Sequence, residues 1–374
     1  MIYLDYAANT PVDQEVLQTF YDTSINYSAN PNSTHKLGRD SKARIDSSTK
    51  QIAGLLDVKE SEIIYTSGAS ESNNLAIKGI VNNYKKNGKH IITTYLEHSS
   101  VIGATAYLQS IGYEVDFVDI LDSGLVDLDH LKQLLRQDTV LVCISYVDSE
   151  VGIKQPIEKI GELLSSYNNC FFHVDATQAI GKIPVSLTNI DLMSFAPHKF
   201  YGLNGCGVLI KKENIILEPL IHGGVSTTAF RSGTPALSLI ASIEKALTLA
   251  LPNIEVRYDY VSLLNSKLRQ ALSKYSNITI NSTHVSTPFV LNISIKGVKG
   301  LEFQQALEEY DIYVSTKSAC SQPNTVSRPV YAITKDKKIA LSTLRISLSH
   351  LTTMEELDVF LECFDKCYKK IVRN

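Results

Sequence analysis

Apolar runs of β type alternate with amphipathic helical patterns from about residue 36 to residue 211. Several runs are apolar at nearly every position, as strands are when helices cover both faces of a parallel sheet. The helical patterns between them include residues 129–137 and 157–167. This alternation predicts a doubly wound α/β sheet. The seven candidate strands are 62–66, 89–93, 113–118, 139–147, 170–175, 191–196 and 206–210.

The pattern changes in the last third of the chain. A long helical pattern near residues 236–275 is followed by fewer strands and by helical patterns near 299–310 and 353–370. A chain of 374 residues is longer than one hydrophobic core normally organises, so a second unit is expected. We predict a large domain over residues 13–250. Residues 1–12 and 251–374 are predicted to form a small α+β domain.

Composition and charge are those of an ordinary globular protein. Hydrophobic residues make up 44% and charged residues 20% of the chain, and the formal net charge is −3. This balance gives no reason to expect nucleic acid or an anionic membrane as a partner. The first residues, MIYLDYAANT, lack the basic start and apolar run of a signal peptide, and no uninterrupted apolar stretch is long enough to cross a bilayer. A cytoplasmic location is therefore expected.

The six cysteines are scattered and form no CxxC pair, so we predict neither a disulfide framework nor a metal site. Cys143 and Cys170 lie in or beside apolar runs and are expected in the core. Cys363 and Cys367 share a helical pattern that packing explains. Cys320 differs, because it lies in STKSACSQPN, a polar stretch of small residues where a thiol is accessible.

The first motif with chemical meaning is TSGASESNN, residues 66–74, which follows a candidate strand and opens a helix. Ligands of open α/β sheets bind at the carboxyl ends of strands, and a helix N-terminus offers free N–H groups to a phosphate. The Ser70 hydroxyl adds a further donor. A turn that merely caps the helix is the alternative, because Ser-Gly turns are common there.

The second motif is HVDATQAIGK, residues 173–182, in which Asp175 ends an apolar strand. A carboxylate in that position is costly unless a cation meets it, and a protonated pyridine nitrogen is such a cation. A helix-capping Asp is the plainer alternative. His173 and Gln178 are candidate hydrogen-bonding residues of the same loop.

The third motif is SFAPHKFYGLNGCG, residues 194–207, where Lys199 follows His198 in a turn after a buried strand. A lysine among small residues and glycines is able to form a Schiff base with a carbonyl group. Taken alone, a lysine is more often a solvated surface residue.

The order and spacing of these motifs resemble the cysteine desulfurases of the class-V aminotransferase family over nearly the whole chain. The matching segments are 3–11, 30–38, 66–74, 97–101, 173–182, 198–199, 222–224, 231–235, 318–320 and 344–347. The resemblance implies a fold-type-I enzyme dependent on pyridoxal 5′-phosphate (PLP), with a mostly parallel seven-stranded sheet and a smaller α+β domain. It also implies a homodimer that converts L-cysteine to L-alanine and passes the sulfur to an acceptor protein.

The resemblance assigns roles residue by residue. Three residues are expected to act in catalysis: Lys199 holds the cofactor and moves the substrate Cα proton, His98 stacks on the ring, and Cys320 receives the sulfur as a persulfide. Arg345 and Asn30 are expected to bind the substrate carboxylate, for which the two-pronged guanidinium suits. The remaining cofactor contacts are expected from Ser70 and His198 (phosphate), Asp175 (ring nitrogen), Gln178 and Ser149 (ring oxygen), and Thr234 (phosphate of the partner subunit).

The chain also departs from the family pattern. Ser149 replaces an Asn that normally contacts the ring oxygen, Ala196-Pro197 replaces a Ser-Gly pair, and Lys317 replaces the Gly before Ser-Ala-Cys. Two other functions thus stay open: a different PLP reaction, such as that of an aminotransferase or β-lyase, and a catalytically impaired interaction protein. Cys320 argues against the first, and the intact Lys199 and Arg345 argue against the second.

Overall fold

The computed structural model describes residues 1–318 and 325–372. Within these residues the strands are β1 (Ile2–Tyr3), β2 (Ile63–Thr66), β3 (His90–Thr93), β4 (Glu114–Phe117), β5 (Thr139–Ser145), β6 (Phe171–Asp175), β7 (Leu192–Phe195), β8 (Gly207–Lys211), β9 (Ile278–Ile280), β10 (Val290–Ile295), β11 (Ile312–Tyr313) and β12 (Thr343–Ser347). The helices are α1 (Gln14–Asn26), α2 (Lys36–Leu56), α3 (Ala69–Asn83), α4 (Ser99–Ser110), α5 (Leu128–Leu134), α6 (Ile157–Leu164), α7 (Leu237–Ala250), α8 (Ile254–Leu272), α9 (Gly300–Glu308), α10 (Arg328–Thr334), α11 (Lys337–Leu341) and α12 (Met354–Ile371).

The central sheet has seven strands in the order β2-β8-β7-β6-β5-β3-β4. All neighbouring pairs are parallel except those of β8, which runs antiparallel to both β2 and β7. Strands β5 and β8 are buried at every position, because helices cover both faces of the sheet. The predicted fold class is therefore confirmed.

A second apolar core lies around the antiparallel sheet β12-β10-β9 and helices α8, α9 and α12. The N-terminal segment joins it, since Ile2 and Leu4 are buried there and β1 pairs with β11. The predicted domain boundaries at residues 12 and 250 stay a prediction, because a shared core does not mark where a unit ends along the chain.

The predicted helix over 236–275 is interrupted. A single turn of 3₁₀ helix at Leu251–Asn253 separates α7 from α8, and Pro252 lies in it. Proline lacks an N–H and clashes with the preceding turn, so the regular helix ends there. The combined segment Leu237–Leu272 is long and apolar enough by composition to cross a membrane. About half of its most apolar stretch is buried inside the protein, and residues such as Leu247 and Leu264 pack in the two cores.

Candidate active site

The site is a cavity of about 330 Å³ at the carboxyl edge of the central sheet. Parallel strands bring the residues that follow them to the same edge, which is where open α/β sheets bind ligands. Residues after β2, β5, β6 and β7 line the cavity, and the N-terminal segment closes it with Ala7 and Ala8. The predicted site residues that line it are Ser70, His98, Ser149, Asp175, Gln178, His198, Lys199 and Arg345.

One end of the cavity is formed by the N-terminus of α3. Among the described residues no side chain caps this helix at Gly68, so first-turn N–H groups are available to an anion. Strand β8 approaches this turn closely, since a Cβ on Gly207 would lie 2.7 Å from the Cα of Gly68. His198 lies at the same cavity. Burial and the nearby charges of Lys199 and Lys182 lower the pKa of His198 to about 4, so its imidazole is neutral at pH 7.

The cavity is also lined by the carboxylate of Asp175, at the end of β6. Its Oδ1 accepts a hydrogen bond from the Thr177 N–H at 3.0 Å, and its Oδ2 accepts one from Asn73 Nδ2 at 2.8 Å. Asn73 Nδ2 also donates to Ser100 Oγ, which lies 2.8 Å from His98 Nδ1. One chain of hydrogen bonds therefore orients both the strand-end carboxylate and the predicted ring-stacking histidine.

Lys199 lies in the one-turn 3₁₀ helix Pro197–Lys199 directly after β7. Its Nζ donates to the carbonyl oxygens of Ala8 (2.6 Å) and Ala7 (3.0 Å). Gln178 is fixed beside it, since its Nε2 also donates to the Ala7 carbonyl and its Oε1 accepts from Lys182 Nζ at 2.8 Å. The N-terminal segment thus positions the predicted cofactor lysine through its backbone.

Arg345, on β12, brings a guanidinium to the cavity from the second sheet. Its side chain is buried and forms an ion pair with Asp5, with 2.7 Å between Nη2 and Oδ1, and Nη1 donates to the Ser149 carbonyl. The Nε has no partner in the part of the chain that the structure describes. A donor thus remains for a bound carboxylate.

The charges and unpaired atoms of this cavity fit PLP. Asp175 is buried yet forms no ion pair among the described residues, so a cationic ring nitrogen would supply the missing partner. The buried hydroxyl of Thr177, which also lines the cavity, has no partner in residues 1–318 and 325–372. The phosphate end combines a helix N-terminus with the neutral donor His198. The same cavity therefore contains a carboxylate without a cationic partner among the described residues and a helix turn able to bind an anion, which are the two groups that PLP requires.

Two of the predicted residues that the structure describes, Asn30 and Thr234, do not line this cavity in a single chain. Asn30 is exposed and its Oδ1 accepts from the Asn32 N–H, and Thr234 lies in an exposed segment after β8. Cys320 lies outside the described residues. Its neighbour Ser318 does line the cavity. The roles of these three residues, like the roles of the other predicted site residues, stay predictions.

Comparisons with known proteins agree with this architecture. The class-V aminotransferase model matches residues 2–360. Cysteine desulfurase IscS of Glaesserella parasuis serovar 5 is 38% identical over 384 residues, which cover 99% of this chain and 93% of that protein. A solved NifS-like protein superposes with a TM-score of 0.93 at 33% identity, covering 99% of this chain and all of the other. The structure of SspA in complex with cysteine has a TM-score of 0.83 at 32% identity over 94% of this chain and all of the other.

The chain therefore belongs to the class-V aminotransferase family and, within it, to the PLP-dependent cysteine desulfurases.

Proposed function

We propose that this protein converts L-cysteine to L-alanine and retains the sulfur as a persulfide on Cys320. The main observation in its support is that one cavity is lined by the four predicted residues Lys199, Asp175, His98 and Arg345. Ser318 lines the same cavity. Cys320 follows Ser318 by two residues in the sequence. The solved relative SspA, whose structure contains cysteine, supports the same substrate.

The residues at the two ends of the cavity hold the cofactor. Bound PLP supplies an electron sink for the electron pair released at the substrate Cα. Ser70, the first-turn N–H groups of α3 and neutral His198 bind its phosphate as donors. Asp175 keeps the ring nitrogen protonated, and its own position is fixed by Asn73. Gln178 and Ser149 contact the ring oxygen.

Lys199 and Arg345 act on the substrate. The Arg345 guanidinium binds the substrate carboxylate, and the burial of this side chain strengthens the charge-assisted hydrogen bonds it makes. Lys199 leaves the carbonyls of Ala7 and Ala8 and removes the proton from the substrate Cα. A lysine at the cavity wall is suited to this because its flexible stem carries the amine between two positions.

Sulfur transfer is a displacement that needs no outside oxidant. The Cys320 thiolate attacks the Sγ of the substrate cysteine, a new S–S bond forms, and the Cβ–Sγ bond breaks with its electron pair left on the carbon side. Protonation at Cβ and Cα then gives alanine. The sum is cysteine plus one enzyme thiol giving alanine plus one enzyme persulfide, which balances in atoms and electrons.

We further propose a homodimer in which Thr234 binds the phosphate in its partner's cavity. The exposed segment containing Thr234 contacts the loop of Asn30, because Asn32 Nδ2 donates to Ser226 Oγ. Both predicted residues that lie away from the cavity are thus on one surface. Val225 on this surface is 78% exposed, and a second copy would cover it. A stable, fully active monomer by light scattering would contradict this arrangement.

A cytoplasmic location and delivery of the persulfide sulfur to an acceptor protein complete the proposal. The sulfur is held on a residue of the protein rather than released in the displacement, so a second thiol is able to take it by exchange.

The test is a product assay with purified holoenzyme and L-cysteine in the presence of a thiol reductant. We expect alanine and sulfide in equal amounts, and neither product from Lys199→Ala. Pyruvate with ammonia would indicate a β-lyase, and the absence of every product would indicate an impaired interaction protein.

A further inference from the structure

The buried carboxylate of Glu150 joins two segments that lie on either side of Cys320 in the sequence. Its Oε1 accepts a hydrogen bond from the Ser318 N–H at 3.1 Å, and its Oε2 accepts one from Ser327 Oγ at 2.6 Å. Ser318 lines the cavity, whereas Ser327 caps α10 by accepting from the Val330 N–H. One side chain therefore holds both Ser318 and Ser327, and Cys320 lies between these two residues in the sequence.

Glu150 is itself held rigidly. Its N–H donates to Asp148 Oδ1 at 2.9 Å, and its carbonyl accepts from Asn292 Nδ2 at 2.9 Å. Asp148 accepts two further backbone N–H bonds, from Val151 and Ile153. The carboxylate is thus fixed relative to both the central sheet and β10.

Lys317 adds a second connection at the same place. Its ammonium donates to the carbonyl of Thr325 at 2.8 Å and to the Thr325 hydroxyl. The side chain is buried, and burial lowers the pKa of Lys317 while nearby Glu150 raises it. The resemblance described in the sequence analysis leads one to expect glycine at position 317, and glycine has no side chain with which to make this connection.

We propose that Lys317, together with Glu150, is a positioning residue for sulfur transfer, which fixes the two ends between which Cys320 lies. This inference rests on the proposed function. Lys317 touches neither cofactor nor substrate in this role; it acts through Thr325 and the ends of the segment.

The expected consequence is confined to one step. Attack of a thiolate on a sulfur requires close approach along the bond axis, and small displacements of a reacting group cost large factors in rate. If Lys317 no longer holds Thr325, we expect the Cys320 thiol to approach the substrate sulfur less often. Binding of PLP and of L-cysteine involves other residues and stays unchanged.

The experiment compares Lys317→Met with wild-type holoenzyme in rapid mixing with L-cysteine. We expect kcat for alanine formation to fall about tenfold. The KM for cysteine, the visible spectrum and the first spectral change on cysteine binding are expected to stay as in the wild type. Lys317→Arg keeps side-chain hydrogen-bond donors, so its kcat is expected to lie between those of Lys317→Met and the wild type. The matched control is Lys299→Met, because exposed Lys299 borders the same groove as Lys317.

Thr325→Val provides a second route if Lys317→Met is unstable. It removes the hydroxyl acceptor of Lys317 and keeps the carbonyl acceptor, so a smaller loss in the same step is expected. The double variant is expected to lose no more than Lys317→Met alone. A wild-type rate in Lys317→Met, or equal losses in cysteine binding and sulfur transfer, would overturn the positioning role while leaving the proposed function intact. Wild-type enzyme that forms no alanine from cysteine would overturn both.

Discussion

Asn73 donates a hydrogen bond to Asp175 across 2.8 Å, which joins the helix of the phosphate turn to the carboxylate at the end of β6. The two residues are 102 positions apart in the chain and both are buried. The bond gives a buried carboxylate oxygen a hydrogen-bond donor that it would otherwise lack. The side-chain amide of Asn73 therefore connects helix α3 directly to the carboxylate of Asp175.

Replacing Asn73 by Ala is expected to weaken the hold of Asp175 on the ring nitrogen. Losing a donor to a buried carboxylate costs about 1–3 kcal/mol, so kcat should fall by about tenfold or more and PLP affinity should decrease. Equilibrium dialysis and steady-state kinetics measure both. Asn82→Ala, at an exposed position of the same helix, is the control. Unchanged kinetics in Asn73→Ala would show that the hydrogen bond has no part in catalysis.

The cofactor lysine is tested by colour and by trapping. Lys199→Ala is expected to lose the visible absorbance of bound PLP after dialysis and to give no borohydride-stable adduct, because the amine that binds the aldehyde is gone. Lys159→Ala, at an exposed position of α6, should keep both signals. A reducible adduct in Lys199→Ala would place the cofactor on another amine.

Lys182 gives a pH-dependent prediction. Burial, followed by the nearby charges of Lys199 and Arg345, lowers its pKa from 10.5 to about 7. Between these two values the unfolded chain binds more protons than the folded one, so the contribution of Lys182 to stability rises with pH and is smallest at pH 7.

Lys182→Met removes this dependence. The free energy of unfolding of the wild type should therefore increase relative to that of the variant as pH rises from 7 to 10. We expect this increase to be on the order of a few kcal/mol. Urea unfolding of the cofactor-free proteins measures the difference. Lys159→Met serves as the exposed control. A difference that is constant across this range would contradict the buried, low-pKa amine.

The dimer arrangement is tested by mixing subunits. If Thr234 serves the partner's cavity, a hybrid of a Lys199→Ala subunit with a Thr234→Val subunit contains one intact site. Refolding the two inactive or weakened variants together should then give more activity than either alone. Activity no higher than the mean of the two variants would place Thr234 in its own subunit's site or outside catalysis.

Much of the site follows from the sequence because a parallel sheet brings strand ends together. Asp175 ends β6 and Lys199 follows the adjacent parallel strand β7, so their motifs meet at one edge of the sheet. Asn73 lies in the motif of residues 66–74, but the sequence does not indicate its partner. The packing of α3 against the sheet directs its amide to Asp175.

Other contacts had no local signal. The carbonyls of Ala7 and Ala8 reach Lys199 because the N-terminal segment bonds to residues more than 300 positions away, as in the hydrogen bond from the Ser347 N–H to the Leu4 carbonyl. The Glu150 connections likewise depend on tertiary packing. The interruption between α7 and α8, by contrast, is predictable from Pro252. The amphipathic pattern alone predicts one continuous helix there.

The most direct test of the account is peptide mass spectrometry of holoenzyme incubated with L-cysteine, together with alanine release by Cys320→Ser. The account predicts one additional sulfur on the peptide that contains Cys320. Cys320→Ser should bind PLP and cysteine normally but lose alanine release by several orders of magnitude, because a serine hydroxyl is a poor nucleophile toward sulfur. Cys206→Ser, at a buried cysteine, should keep its activity. Extra sulfur on another cysteine, or wild-type alanine release by Cys320→Ser, would contradict the central claim.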